Sequence, residues 1–496
     1  MLSELEKHIN IILIGCGPHA RRVYIPAFEQ IENATIALII DLKDQEAKIR
    51  ESLDVGLETS FMFIDPFEGS LPDSVVGDLS EFLRNNKIDG VVIATEPLVH
   101  YAYAKWALAN GLNILMDKPI TTRANVVSSY EDAKGILDDY EDLLHDYNRL
   151  QNIKETVFII NSHRRFHKGF QFVQEQIREV ATLTKCPVTF IQAYHSDGQW
   201  RLPNEIVTQN YHPYCTGYGK ASHSGYHIFD TIYQFYKASI DKEKIADQLD
   251  VFSSFVRPNG FIKQITENDY KFVFGHKYNA VHRWTDRELS SVFAHYGEMD
   301  LSSILTLKKE KEVVANFSVN LVHNGFAGRT WVTPRNDLYK GNGRIKHENY
   351  IIQQGPFQSI QIHAYQGNDR HDTHAIEEDL GGKNHFDIYV FRNPLISNGL
   401  QQPQVYKVSD LINDSPKESG NMITMEWVKF KVVEEFVAYL SSEKLKSEMT
   451  SLLDDHLFPV QIMSGTYRSN IDKSVASYSI SSDSVFGKSF LENCMS

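Results

Sequence analysis

With 496 residues, 42% of them hydrophobic and 23% charged, the chain has the composition of a globular protein and the length for two domains. A net charge of -14 opposes nonspecific binding to nucleic acid or to an anionic membrane, so neither is expected as a partner. No stretch is long and apolar enough to span a bilayer, no leader-like segment opens the chain, and four cysteines without C-x-x-C spacing suit a reducing cytoplasm and argue against a zinc site.

The first informative stretch is IILIGCGPHARRVYIP, from Ile11 to Pro26. An apolar strand runs into Gly15-Cys16-Gly17, and a helix is predicted from about Ala20 to Gln30. This is the strand, glycine turn and helix that hold a dinucleotide pyrophosphate. Gly15 permits the turn, and Gly17 lets the phosphates approach the backbone. Pro18, His19 and Ala20 open the helix whose N-terminus faces the anion, with Ala20 where the third glycine is usual. A second strand, Thr35 to Ile40, ends at Asp41. A carboxylate there accepts from the adenosine ribose and repels a 2′-phosphate, which favours NAD while leaving NADP possible; the competing reading is a helix cap.

A strand over Ser60 to Ile64 and a polar helix over Asp73 to Asn85 follow. Val91 to Ala94 reads as a buried strand that delivers Thr95, Glu96 and Pro97 to a turn, with His100 in the first turn of the next helix. Asn113 to Met116 is another strand and delivers Asp117, Lys118 and Pro119 to the edge where ligands sit in such sheets. Thr121 or Thr122 is expected to cap a charged helix over about Arg123 to Asn152, and Thr156 to Ile160 adds a sixth strand. The alternation implies an α/β domain with a parallel sheet over residues 1–160.

Beyond it, Arg164 and Arg165 follow a strand end, either as ligand contacts or as a surface charge pair. DGQWR offers Trp200 as a flat face for a sugar ring, or as a structural tryptophan, and Arg201 as a charged donor. Residues 257–404 read as β-rich insertions, with strands near Ser302 to Leu307, Val313 to Val322 and Ser359 to Tyr365. HDTHAIEED sets His371, His374 and Glu377 three apart, with His385 further on; a polar loop is the simpler reading, and no metal is expected. A helix over Thr424 to Leu440 is followed by charge-rich helix from Glu443 to Leu453. Residues 471–496 form a serine-rich stretch expected to be a loosely ordered tail.

Six segments in order resemble the Gfo/Idh/MocA oxidoreductases, named for glucose-fructose oxidoreductase and inositol dehydrogenase. They are the glycine corner, ATEPLVH, NILMDKPIT with Asp117 where Glu is usual, NSHRRF, GKASHSGYHIFD and PVQIMSGTYRS. The resemblance implies a Rossmann domain, then an α+β domain over 161–470 with a large open mixed, mostly antiparallel sheet through which homodimers or homotetramers form. It implies hydride transfer between a nicotinamide and a secondary alcohol or ketone of a sugar, sugar derivative or cyclitol. By that match His227 is the general acid/base and Lys118 orients and stabilises. Gly15, Gly17, Pro18, His19, Ala20, Asp41, Thr95 to Pro97, His100, Asp117 and Lys118 are expected around the cofactor, and Arg165, Trp200 and His223 at the substrate. His223 stands where the family usually has Asp, and Asp230 compensates only if it turns back into the site. Relatives of this fold also include nonenzymatic NAD-binding regulators and NAD-dependent glycosidases.

Overall fold

Short apolar runs, buried on both faces, build the first sheet. The computed structural model describes residues 7–53, 59–333, 343–367, 385–397, 403–411 and 425–479. Six strands, β1 (Ile9–Ile14), β2 (Ala34–Leu42), β3 (Ser60–Ile64), β4 (Gly90–Ile93), β5 (Asn113–Met116) and β6 (Phe158–Ile160), pair in the order β3-β2-β1-β4-β5-β6. Every pairing is parallel. The order reverses between β1 and β4, so the crevice beyond their carboxyl ends is the ligand position of a doubly wound sheet.

The helix after the glycine corner is broken into Pro18–Arg22 and Tyr24–Gln30, with Val23 between them. The charged helix is shorter than its sequence suggests, Tyr130–Gln151. Its cap is Ser129, whose hydroxyl accepts from the Asp132 N–H at 3.2 Å. Thr121 and Thr122 are buried instead, and their hydroxyls reach Ile136 O and Ser222 Oγ. One face of the first sheet is closed from far along the chain. Val432, Val433, Phe436 and Val437 of the helix Met425–Leu440 pack on Ile11, Leu13, Val92 and Ile159.

The second sheet has nine strands: β7 (Phe190–Ser196), β8 (Gln248–Val256), β9 (Asp300–Lys309), β10 (Glu312–Val322), β11 (Ile345–Gln354), β12 (Gln358–Gly367), β13 (His385–Arg392), β14 (Gln404–Lys407) and β15 (Ala476–Ser479). Their order is β14-β13-β12-β11-β7-β10-β9-β8-β15. Only β7 and β10 pair in parallel; the rest is antiparallel, as the family resemblance implies. Alternate residues face inward, so β10 buries Ala315, Phe317, Val319 and Leu321. The helices Tyr226–Lys237 and Leu457–Asp472 cover that face, and Ile228, Phe229, Ile232, Ile462 and Met463 join its core.

Three expectations are corrected here. Residues 258–295, read as part of a β-rich stretch, are mainly short helices, among them Glu267–Phe274 and Asp286–Val292. Both begin with capping boxes, Thr266 with Asp269 and Thr285 with Glu288, whose reciprocal bonds satisfy the first free N–H groups. The charge-rich helix over Glu443 to Leu453 is replaced by 3₁₀ turns at Lys446–Glu448 and Leu453–His456. The start of the expected tail is an edge strand, with Tyr478 opposite Leu249. His371, His374 and Glu377 lie outside the described residues, and His385 opens β13. Among the described residues no three His, Cys, Asp or Glu side chains cluster as a metal would need. No described helix is long and apolar enough to cross a membrane.

Candidate active site

A cavity of about 930 Å³ opens at the carboxyl ends of the first sheet and runs to the second. The glycine corner forms its floor. Gly15 has φ +91°, and a Cβ there would stand 2.7 Å from Ala94 O, so both conformation and space require glycine. Gly17 is different. Its φ is -69°, and a Cβ would meet nothing within 4 Å. The protein itself leaves that space empty, as a corner that cradles a pyrophosphate must. Gly17→Ala is therefore expected to leave the melting temperature unchanged while weakening NAD binding by about tenfold or more. Gly15→Ala should instead cost about 1–3 kcal/mol of stability through backbone strain alone. Thermal melts and NAD titration of the two variants separate these outcomes.

Asp41 closes the corner: Oδ2 accepts from the Cys16 N–H at 2.6 Å and Oδ1 from the Leu42 N–H at 2.7 Å. It lines the cavity with Pro18, His19, Thr95, Glu96 and Pro97. Burial pushes the Glu96 carboxyl up to about 7 and the His19 imidazole down to about 3. Ala20 and His100 do not line the cavity. Ala20 packs in the core behind the corner. His100 is buried and braces two loops, with Nδ1 at 2.9 Å from Pro119 O and Nε2 at 3.1 Å from Thr95 O. Its expected contact with cofactor is replaced by this scaffold role.

At the end of β5, Asp117 accepts from Tyr24 Oη and, at 3.0 Å, from Asn161 Nδ2. Against the pull of burial, His19, the Tyr24 hydrogen bond and Lys118 hold its carboxyl below the usual range. Asp117 thereby ties β5 to the first helix and to the end of β6. Lys118 donates to His223 O at 2.7 Å. That carbonyl belongs to a single π-turn, Ala221–Gly225, which runs into the helix carrying His227. Lys118 and His227, 109 positions apart in the numbering, thus line the same cavity. Burial is the main reason that Lys118 falls to about 8, with Arg164 and Lys220 pushing the same way and Asp117 opposing. The His227 imidazole is held well below its ordinary value by burial, then by His163 and Lys118. Its ring lies edge-on to His163, 4.3 Å between centroids, and its Nδ1 has no partner among the described residues.

His223 also lines the cavity, packed against His212, Tyr214 and Tyr218, and its Nε2 has no hydrogen-bond partner among the described residues. Two residues expected beside the substrate are elsewhere. Arg165 turns into the core, where Asp230 accepts at 2.6 Å and Asp455 at 2.7 Å. Asp230 is consumed by that pair and does not turn back toward His227. Trp200 packs on Tyr270 and Phe274 outside the cavity, and its neighbour Arg201 is the residue that lines it. Arg164, His195, Asp197, Lys220, His323, Arg344 and Lys346 line the far end. Of these, Arg164, Asp197 and Lys220 lie in NSHRRF, DGQWR and GKASHSGYHIFD, whereas the sequence assigns no role to His195, His323, Arg344 and Lys346.

Residues 9–142 match the model of the oxidoreductase family with an NAD-binding Rossmann fold, Gfo/Idh/MocA. The match covers most of the first domain. An uncharacterized oxidoreductase of Synechocystis sp. is 28% identical over 118 residues, 23% of this chain and 27% of its own length. The matched stretch therefore spans about a quarter of that relative. Solved structures carry the likeness through both domains. An oxidoreductase from Agrobacterium radiobacter, in complex with NAD+, L-tartaric acid and magnesium, aligns over 95% of this chain and 98% of its own at a TM-score of 0.55 and 13% identity. The aldose-aldose oxidoreductase of Caulobacter crescentus, complexed with glycerol, aligns over 95% and 100% at 0.54 and 11%. The scyllo-inositol dehydrogenase of Lactobacillus casei aligns over 95% and 98% at 0.52 and 11%. At such identities the shared feature is the fold.

Proposed function

We propose that the protein is an NAD-dependent oxidoreductase acting on a secondary alcohol or ketone of a sugar, sugar derivative or cyclitol. The observation that carries this reading is that Lys118 and His227 line one cavity with the glycine corner. The corner, Asp41 and the Thr95 to Pro97 turn would hold the cofactor, which supplies the hydride acceptor or donor when bound.

The chain's own task is the proton. A hydroxyl whose carbon gives up hydride must lose its proton, and the reverse reaction must return it. A side chain that ionises near the working pH does this best, and Lys118, brought to about 8, is so poised. His227 is neutral under the same conditions and resists taking charge beside Lys118. On this reading Lys118 exchanges the proton and His227 fixes the hydroxyl by a neutral hydrogen bond, the reverse of the roles that the resemblance implies. The π-turn carbonyl of His223 holds the Lys118 Nζ in place.

The test is the appearance of NADH absorbance when NAD and a panel of sugars and cyclitols are added to purified protein. Turnover with NAD, and at least about tenfold weaker binding of NADP, is expected because the Asp41 carboxylate repels a 2′-phosphate. A clear NADP preference overturns the role of Asp41. Tight NAD binding without turnover of any polyol or ketone would favour a regulator instead.

A further inference from the structure

Past Lys118 and His227 the cavity reaches the junction of β7, β10 and β11, where cations outnumber acids. Arg344 and Lys346 stand at the start of β11, Arg201 follows β7, and Arg164 follows β6. Antiparallel register puts His195 of β7 opposite Glu348 of β11 and so gathers these residues at one end of the sheet. Two carboxylates answer them. Asp197 is engaged by Lys220 and lies 3.4 Å from Arg344; Glu348 lies 2.6 Å from Arg164 and 3.8 Å from Lys346.

Arg164 is 3% exposed, yet its Nε and Nη1 have no hydrogen-bond partner among the described residues. The Nε2 atoms of His195 and His323 likewise have no hydrogen-bond partner among the described residues, and His195 Nε2 lies 3.9 Å from Asp197 Oδ1. Buried N–H groups of a guanidinium are costly to leave unpaired, most of all in a cavity short of negative charge. Burial, with Arg164 and Arg344 adding to it, brings Lys346 down to about 8. The chain as a whole carries -14, so this concentration of positive charge is local to the cavity.

We infer that the substrate is an anionic polyol, a sugar or cyclitol bearing a carboxylate or a phosphate, whose anionic group is held by Arg164 and Lys346 beside Arg344. The inference rests on the oxidoreductase reading for the polyol and on the cationic cluster for the anion. Such a group would supply acceptors for the idle N–H groups of Arg164, and guanidinium and ammonium suit either oxyanion.

Calorimetric titration of the NAD-saturated protein with D-glucose, D-glucuronate, glucose 6-phosphate and inorganic phosphate tests it. At least one anion is expected to bind tenfold or more tightly than glucose, and added salt should shrink the gap. Glucuronate as the tighter ligand assigns a carboxylate, and either phosphate assigns a phosphoryl group. Arg164→Gln and Lys346→Met should each remove most of the preference. Glu348→Gln takes away a competing carboxylate without touching a cation, and should strengthen anion binding severalfold. Equal binding of glucose and the anions overturns the inference. So does the absence of anion binding, or a preference unchanged in Arg164→Gln and Lys346→Met. If neutral polyols are oxidised with NAD while anions gain nothing, only this inference falls. If anions bind by these rules and nothing is oxidised, the oxidoreductase reading falls instead.

Discussion

Replacing Lys118 by alanine is expected to lower kcat by about 10²–10⁴-fold on whichever polyol the protein oxidises, the usual worth of a positioned acid or base. NAD affinity should change little, because the pyrophosphate corner is built by Gly15, Gly17 and the helix after them. The effect should fall on kcat more than on KM, since proton transfer is completed only in the transition state. The pH profile gives an independent check. The amine that accepts a proton is the neutral form, and its share grows as pH rises through about 8. Alcohol oxidation should therefore climb to a plateau above that pH. Ketone reduction needs the ammonium and should decline over the same interval. Lys118→Arg keeps a charge but cannot deprotonate, so it should restore binding without restoring the rate. If His227→Ala erases the pH dependence while Lys118→Ala keeps it, the proton belongs to the imidazole after all.

What the sequence made legible was what local pattern can carry. IILI, GVVI and NILM are buried on both faces, so their apolar runs stand out, and the residues just after them reach the cavity: Gly15, Gly17, Thr95, Asp117 and Lys118. What it hid was decided by distant partners. Arg164 and Arg165 are neighbours with the same chemistry, and nothing local says which one faces a ligand. Arg165 is drawn inward by Asp230 and by Asp455, which is 290 residues away, while Arg164 meets Glu348 at the cavity wall. Trp200 was equivocal for the same reason, because the helix Glu267–Phe274 that receives it is remote in the chain. The cationic end of the cavity depends on the register of β7 with β11, which brings Arg344 and Lys346 to it and which no single segment encodes. The capping boxes at Thr266 and Thr285 are a local signal for helix that a reading of residues 257–404 by β-branched composition leaves out.

Asp230→Ala is expected to destabilise the protein by about 3–5 kcal/mol, the cost of stranding a buried charge by removing its partner. The Arg165 side chain is 3% exposed and Asp230 2%. Asp230 accepts from Nε at 3.0 Å and from Nη2 at 2.6 Å, and Asp455 accepts from Nη1 at 2.7 Å. Asp455 is itself shared, with Tyr233 Oη at 2.6 Å and Lys237 Nζ at 2.5 Å. One guanidinium therefore joins the end of the first sheet to the helix Tyr226–Lys237, which carries His227, and to the turn Leu453–His456. Without Asp230 the charge has one carboxylate left, and that carboxylate already answers Lys237. Urea unfolding should show the loss as a lower midpoint. Against burial, Lys237 and Arg165 hold the Asp455 carboxyl below its ordinary value, so its contribution is present above about pH 4 and disappears as acid protonates it. The Asp230 variant should accordingly unfold at a higher pH on acidification than the wild type. If it keeps wild-type stability and instead shifts the pH profile of the reaction, Asp230 acts on His227, and its pairing with Arg165 is incidental.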